Sequence, residues 1–433
     1  MPGRPVSAPN TAENGGIRRS VRTSNTVRTF PARMLTFRTR GFGRSQERRT
    51  GSRSEPTEAV VMSPTPLSPP TPTPSDIFAQ PRLPVLDGIR LIAMVQVVIY
   101  HAGETLSLFD GVICFFVLSG FLFSWLLSRE FREHGDISLR SFHRRRATRI
   151  IPALLGAIAA TILLKWMLRL PVNYEHALAS ATFWGNYYNA LHDHPPSGFA
   201  SLWTLGVEQQ FYVVFPIVLL LTLRAGGPAL SLRVIAALGL LAAGWRIVAV
   251  TVLQASPAYI YNAFETRFDG FAVGALCGIL VSSERFLALL RRLSQWAWQP
   301  LVPLALLAAL ELRGASPAWH FGVRMTLEAP LLACLMLQLV MLRESRFWSW
   351  LDHPLTRYGG ALSYSGYLYH HIGLAVGERV PVIHGTVAGV LMTLVLAACS
   401  YHAIEIPAQR WLSRGAGRRR RSELAAAPLP ATV

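Results

Sequence analysis

Apolar runs long enough to cross a lipid bilayer follow one another from Val85 to the neighbourhood of Ile404. A spanning helix needs about 20 such residues, and inside hydrocarbon every backbone N–H and C=O must be met within the segment. The chain is therefore expected to be an all-α integral membrane protein. About ten transmembrane helices are predicted, near residues 85–103, 110–128, 149–169, 206–224, 231–253, 264–282, 297–312, 321–343, 360–380 and 384–404. Only 15% of the 433 residues are charged, against about a quarter in soluble domains.

The net charge of +18 is spread along the chain rather than gathered in one patch. Arginines fill the N-terminal segment, the 129–149 loop with "HRRRATR", the 284–292 and 343–357 loops and the "GRRRR" tail, while the alternate loops are acidic, neutral or rich in His. Basic loops stay on the cytoplasmic side. This alternation predicts a multi-pass protein of the plasma (inner) membrane with both termini in the cytoplasm, and it argues against a nucleic-acid partner. The one lysine, Lys165, ends no Gly-rich phosphate loop, so an ATPase of that kind is excluded. Cys114, Cys277, Cys334 and Cys399 all fall in apolar runs and read as buried small residues.

Three regions are expected: a disordered Arg/Pro-rich tail over 1–80, a transmembrane domain over 81–414 and a basic cytoplasmic tail over 415–433. The first contains "SPTPLSPPTPTPSD" and no apolar run, so it reads as an extended linker rather than a signal peptide. After Ile404 only a short basic tail is expected, with no extracytoplasmic domain.

Polar residues inside the apolar runs narrow the function. A charge at the middle of a spanning helix costs about 3 kcal/mol. Arg90 and His101 in "LDGIRLIAMVQVVIYHAG" are eleven positions apart, which is about 20° beyond three full turns and about 16 Å along a helix. They share one stripe, suited to a long ligand with phosphate at one end and a reactive group at the other; a snorkelling Arg and a hydrogen-bonded His is the plainer reading. Arg145, Arg146 and Arg149 open the third span, where a basic boundary is expected in any case. Glu208 opens the fourth. Arg267 and Asp269 lie at the mouth of the sixth, as an ion pair or as acceptor contacts. Gly270, Gly274 and Gly278 in that span read as close helix packing. Tyr367, Tyr369, His370 and His371 lie in the ninth. His176, His192 and His194 fit no strong metal template and read as a solvated loop.

Seven fragments then occur in order: "LDGIRLIAMVQVVIYHAG", "GVICFFVLSGFLFSWLL", "RRATRIIPAL", "SLWTLGVEQQFYVVFP", "ETRFDGFAVGAL", "ALSYSGYLYHH" and "IEIPAQRWL". Together they resemble acyltransferase family 3, the ten-helix membrane O-acyltransferases, over about 84–414. The resemblance implies transfer of an acyl group, acetyl in the first instance, from acyl-CoA to a hydroxyl of a glycan, lipid-linked sugar or natural product. The family's Arg-x10-His pattern is matched by Arg90 and His101, its arginine cluster by Arg145, Arg146 and Arg149, and its "SLSVEEQFY" by "TLGVEQQFY", which keeps Glu208. The second carboxylate of that pattern is Gln209 here, and Ile113 stands where the family has an Asp.

On this reading His101 is the general base, since a neutral imidazole takes a hydroxyl proton near neutral pH, and Glu208 is expected at the same depth, orienting it. Arg90, Arg145, Arg146 and Arg149 are expected to hold the coenzyme A phosphates. Arg267, Asp269, Tyr367 and His370 are expected at the acceptor. No metal is expected. The bilayer and a glycan or natural-product acceptor are the expected partners; a separate extracytoplasmic protein would be needed only if the acyl group is handed on. A transporter or flippase using the intramembrane Arg, His and Glu as a path is the alternative, but no inverted repeat accompanies it.

Overall fold

The structure is a computed structural model and describes residues 73–103, 108–312, 316–377, 379 and 385–411. The described residues are helical, with no strand among them. Residues 1–72 and 412–433, which hold most of the two expected tails, lie outside them. The expected tail boundary at residue 80 needs correction, because α1, Pro74–Ala79, is ordered. Thr73 accepts the Asp76 backbone N–H while the Asp76 carboxylate accepts the Thr73 N–H, a reciprocal cap with Pro at the first position. Ile77 and Phe78 then bury themselves, and the Trp125 indole N–H donates to the Phe78 carbonyl at 3.1 Å.

Each of the ten expected spans falls on a helix, but the helices differ in reach. After α2, Val85–His101, come α3, Gly111–His134, and α4, Leu139–Met167. Two short helices, α5 Tyr174–Ala181 and α6 Gly185–Leu191, precede α7, Trp203–Thr251. The 49 residues of α7 are two helices joined at Gly226 and Gly227. Gly227 has φ of 65°, a left-handed conformation open to glycine, and Pro228 then starts the second half. Then follow α8 Pro257–Asn262, α9 Phe268–Leu280, α10 Glu284–Leu293, α11 Leu301–Glu311, α12 Met325–Met341, α13 Pro354–Gly377 and α14 Gly385–Ser400. Among the described residues, five helical stretches are long and apolar enough to cross a membrane: α3, α4, α7 with its preceding turn, α12 with its preceding π-turn, and α14 with the helix that continues it to Trp411. A sixth is added if α9 and α10, bent by 109°, count as one span. The expected seventh span is an apolar helix of only 11 residues.

The outer surface is apolar, as a lipid-facing surface must be: Leu240, Leu241, Trp166 and Val252 are among the many exposed large side chains. Cys399 is exposed on that surface, contrary to its expected burial, whereas Cys114 is buried. Inside, α9 packs into α3, with Gly274 against the Val117 carbonyl, so close that a Cβ there would overlap the backbone. The reading of this glycine run as packing agrees with that contact. On a second seam α13 packs between α2 and α14.

One ion pair ties three of these elements together. Arg246, fully buried in the second half of α7, donates Nη1 to Asp269 Oδ1 at 2.7 Å and Nη2 to Asp269 Oδ2 at 2.6 Å. Its Nε reaches the Phe321 carbonyl at 2.8 Å, and the remaining donors reach the Thr266 carbonyl at 2.6 Å and Thr326 Oγ1 at 2.8 Å. At one end of the bundle α5, α6 and α8 form a packed cap. The solvated-loop reading fails for one histidine there: His176 is fully buried, stacks on Tyr188 at 4.5 Å and shares a 2.6 Å hydrogen bond with Ser197 Oγ, whereas His192 is exposed as expected and His194 is half-buried.

Two outcomes are expected. Arg246→Met leaves Asp269 charged and unpartnered, a change that costs about 3–5 kcal/mol. The double variant Arg246→Met/Asp269→Leu should recover much of that loss, as read by thermal unfolding in detergent. Burial pushes the His176 imidazole down to about 4. The unfolded chain, with an ordinary value near 6.5, therefore binds the proton first. Stability should be full above about pH 6.5 and fall as pH drops from there toward 4, and His176→Gln should flatten that part of the profile.

Candidate functional site

Between α2, α3, α4, the first half of α7 and α13 lies a cavity. Its basic wall is Arg90 from α2 with Arg146 and Arg149 from α4. Arg146 and Arg149 are three apart and share a face of α4. Arg145 does not share it: it is exposed and bonds Ser141 at 2.5 Å, so the expected cluster divides into two residues inside and one outside. The adjacent position on a helix is turned by 100°, which is why only one of the pair 145 and 146 can face inward.

The three guanidinium groups are incompletely matched by carboxylates. Arg90 meets Asp87 at 3.3 Å, and Asp87 is shared with Arg82 at 2.6 Å. Arg146 lies over the Phe123 ring at 4.2 Å, within 6.0 Å of Tyr212, and forms no ion pair among the described residues. Glu208 is the acidic residue of the cavity lining. Its Oε2 accepts from the Tyr212 hydroxyl at 2.6 Å, one turn along the same helix. The expected contact of Glu208 with His101 is therefore not formed: the carboxylate folds along α7 toward Tyr212 and the arginines.

His101 stands at the end of α2, beyond the cavity. The cavity wall ends on Thr204 and Tyr367. Thr204 Oγ1 donates to the Tyr367 hydroxyl at 2.7 Å, and that hydroxyl donates to the Ser201 carbonyl at 2.5 Å. The Tyr367 ring is 5.5 Å from that of His370, and the His370 ring is 4.8 Å from that of His101. A continuous line of side chains thus runs from the arginines, past Glu208 and Tyr212, to Tyr367, His370 and His101. An anion fits its basic end, and a proton acceptor stands at the other.

Arg267 and Asp269 are not partners of each other. Asp269 belongs to Arg246. Arg267, buried from the side of α9, places its guanidinium 4.6 Å from the Tyr261 ring and 5.2 Å from that of Trp203, with Nη1 on the Met325 sulfur at 2.8 Å. Neither residue lines the large cavity. Sequence reasoning passed over Arg246, although an arginine in the middle of "AAGWRIVAV" carries the same cost signal as Arg90. It also passed over Glu328, which pairs with Arg324 at 3.6 Å and accepts the backbone N–H of Asp110, the residue that caps α3.

Comparison with known proteins gives a consistent pattern. The chain is 26% identical over 371 residues to the peptidoglycan O-acetyltransferase OatA of Listeria monocytogenes, covering 77% of this chain and 57% of that protein. It is 26% identical over 352 residues to the putative peptidoglycan O-acetyltransferase YrhL of Bacillus subtilis, 75% of this chain and 54% of the other. The O-acetyltransferase OatA of Staphylococcus aureus matches at 26% over 377 residues, 77% and 58%. The chain thus spans somewhat over half the length of these relatives. No solved structure matches it. The model of the acyltransferase domain matches residues 83–402, most of the chain and all but the last of the seven fragments, and the protein belongs to acyltransferase family 3.

Proposed function

We propose that this protein is an integral-membrane O-acyltransferase that moves an acyl group, acetyl first among candidates, from acyl-CoA to a hydroxyl of a cell-surface glycan. The observation that carries the reading is the cavity that begins at Arg90, Arg146 and Arg149 and ends at Tyr367 beside the imidazoles. Coenzyme A brings phosphates for the arginines, and its pantetheine arm is long and thin enough for an aromatic-walled passage. Because relatives are named as peptidoglycan O-acetyltransferases, a peptidoglycan hydroxyl is the first acceptor to test. The ten-span arrangement with both termini in the cytoplasm belongs to the same proposal: it sets the arginines near the cytoplasmic face, where acyl-CoA is found, and His101 near the opposite one.

In this mechanism the His101 Nδ1–H is held by the Val97 carbonyl at 2.8 Å. A carbonyl only accepts, so the ring carries its proton on Nδ1 and presents Nε2 as a base. The acceptor hydroxyl gives its proton to Nε2 as its oxygen attacks the thioester carbonyl. The carbon–sulfur bond breaks, the acyl group stays on the oxygen, and the coenzyme A sulfur leaves and takes up a proton. Glu208 acts at the other end: it offsets part of the arginine charge and holds Tyr212 across the passage. Tyr367 and His370 border the reacting end.

His101→Ala is expected to lower acyl transfer by at least about 100-fold, the usual worth of a general base, with membrane insertion unchanged. Labelled acetyl-CoA and the purified full chain give the readout, and wild-type turnover in that variant would refute the base. Arg146→Ala and Arg149→Ala should each raise the KM for acyl-CoA by roughly 10-fold or more, as loss of a charged hydrogen bond of about 1.5–3 kcal/mol implies, with a smaller change in kcat. Movement of an acceptor across vesicles without loss of thioester would favour the transporter reading instead.

A further inference from the structure

Beyond the acyl passage, three imidazoles meet. His101 at the end of α2 faces His370 and His371 on α13, with ring centroids 4.8 Å from each, and those two are 4.3 Å apart. One ring nitrogen from each lies within 4.8 Å of the other two. The backbone fixes the chemistry of two of them. His101 Nδ1 donates to the Val97 carbonyl at 2.8 Å, and His370 Nδ1 donates to the Tyr367 carbonyl at 2.6 Å. Both rings therefore keep a lone pair on Nε2. His370 is fully buried, and its Nε2 has no hydrogen-bond partner among the described residues. A buried acceptor left unmet costs about 1–3 kcal/mol, and three neutral imidazoles offer one another lone pairs more readily than protons. An Nδ1–H held by a main-chain carbonyl is also the arrangement that aims a histidine at a metal ion.

We propose that His101, His370 and His371 form a binding site for a divalent transition-metal ion of the zinc type, and that its occupancy switches acyl transfer off. Three imidazole nitrogens leave a fourth tetrahedral position for water or another small ligand. The ring nitrogens stand further apart than in a filled site, so the rings must close in when the ion enters; His101 and His371 are not fully buried, which leaves an approach open. The ion takes the same Nε2 lone pair of His101 that the proposed reaction uses to accept the hydroxyl proton, so the two uses exclude each other. The inhibitory part rests on the proposed function, whereas the binding part rests on the geometry alone.

Cobalt(II) is the probe, titrated into the full chain purified in detergent without an oligohistidine tag. One equivalent should bind with the visible absorption of a tetrahedral site, and zinc should displace it. His371→Phe, which leaves the proposed base in place, should weaken cobalt binding at least 10-fold, and His371→Gln does the same should the first variant fold poorly. In the same preparations zinc should suppress thioester loss from labelled acetyl-CoA in the wild-type chain and spare it in the His371 variants. Absence of a cobalt spectrum in the wild-type chain, or wild-type affinity in both variants, overturns the site. Stoichiometric cobalt with undiminished turnover overturns the switch. Cobalt binding in a chain that never consumes thioester leaves the site standing and refutes the acyl-transfer reading instead.

Discussion

A guanidinium removed from water must have its N–H groups met, and Arg246 shows how strictly the fold obeys. Arg has five N–H donors. Those of Arg246 are distributed over both oxygens of Asp269, the Thr266 and Phe321 carbonyls and the Thr326 hydroxyl. These acceptors come from α9, from the turn before it, from the segment that leads into α12 and from the first turn of α12 itself. A single side chain of α7 therefore fixes the positions of its neighbours, because any displacement strands a donor in an apolar surrounding. The close α3–α9 contact at Gly274 then carries that constraint to α3, which forms one wall of the large cavity.

The same rule separates scaffold from site. Arg246 is saturated and has no capacity left for a ligand. Arg146, by contrast, is set against aromatic rings, and Arg90 shares its carboxylate with Arg82. Cation–ring contacts hold a guanidinium in place at about 0.5–2 kcal/mol without using up its in-plane donors. An anion entering the cavity finds those donors available. His370 follows a similar logic, with one nitrogen committed to the main chain and the other unmet.

Much of this was legible in the sequence, and the rest was hidden for identifiable reasons. Arg90 and His101 could be placed on one helix because helical spacing is a property of the chain itself. The ten apolar runs became helices for the same reason, and the Gly226–Gly227–Pro228 break fell between two of them. Pairings across helices were not legible. Expected depth pairs Glu208 with His101, but the choice between His101 and Tyr212 is made by side-chain direction, and i,i+4 geometry favours Tyr212. Asp269 lay nearer in sequence to Arg267 than to Arg246, yet the bidentate partner came from a different helix. The helices are shorter than their apolar runs where apolar residues continue through turns, as around α9 and α11. The helix at Pro74–Ala79 falls inside the expected tail because a six-residue helix with one capping box carries little periodic signal.

The shortness of α11 has a mechanical consequence. Eleven residues rise only about 16 Å, while a hydrocarbon layer is about 30 Å thick, and Leu301, Val302 and Leu306 face outward from this helix. A helix that short does not by itself match a full-thickness hydrocarbon layer, and it closes on an ion pair, Glu311 with Arg324 at 2.6 Å, whose side chains are mostly shielded from solvent.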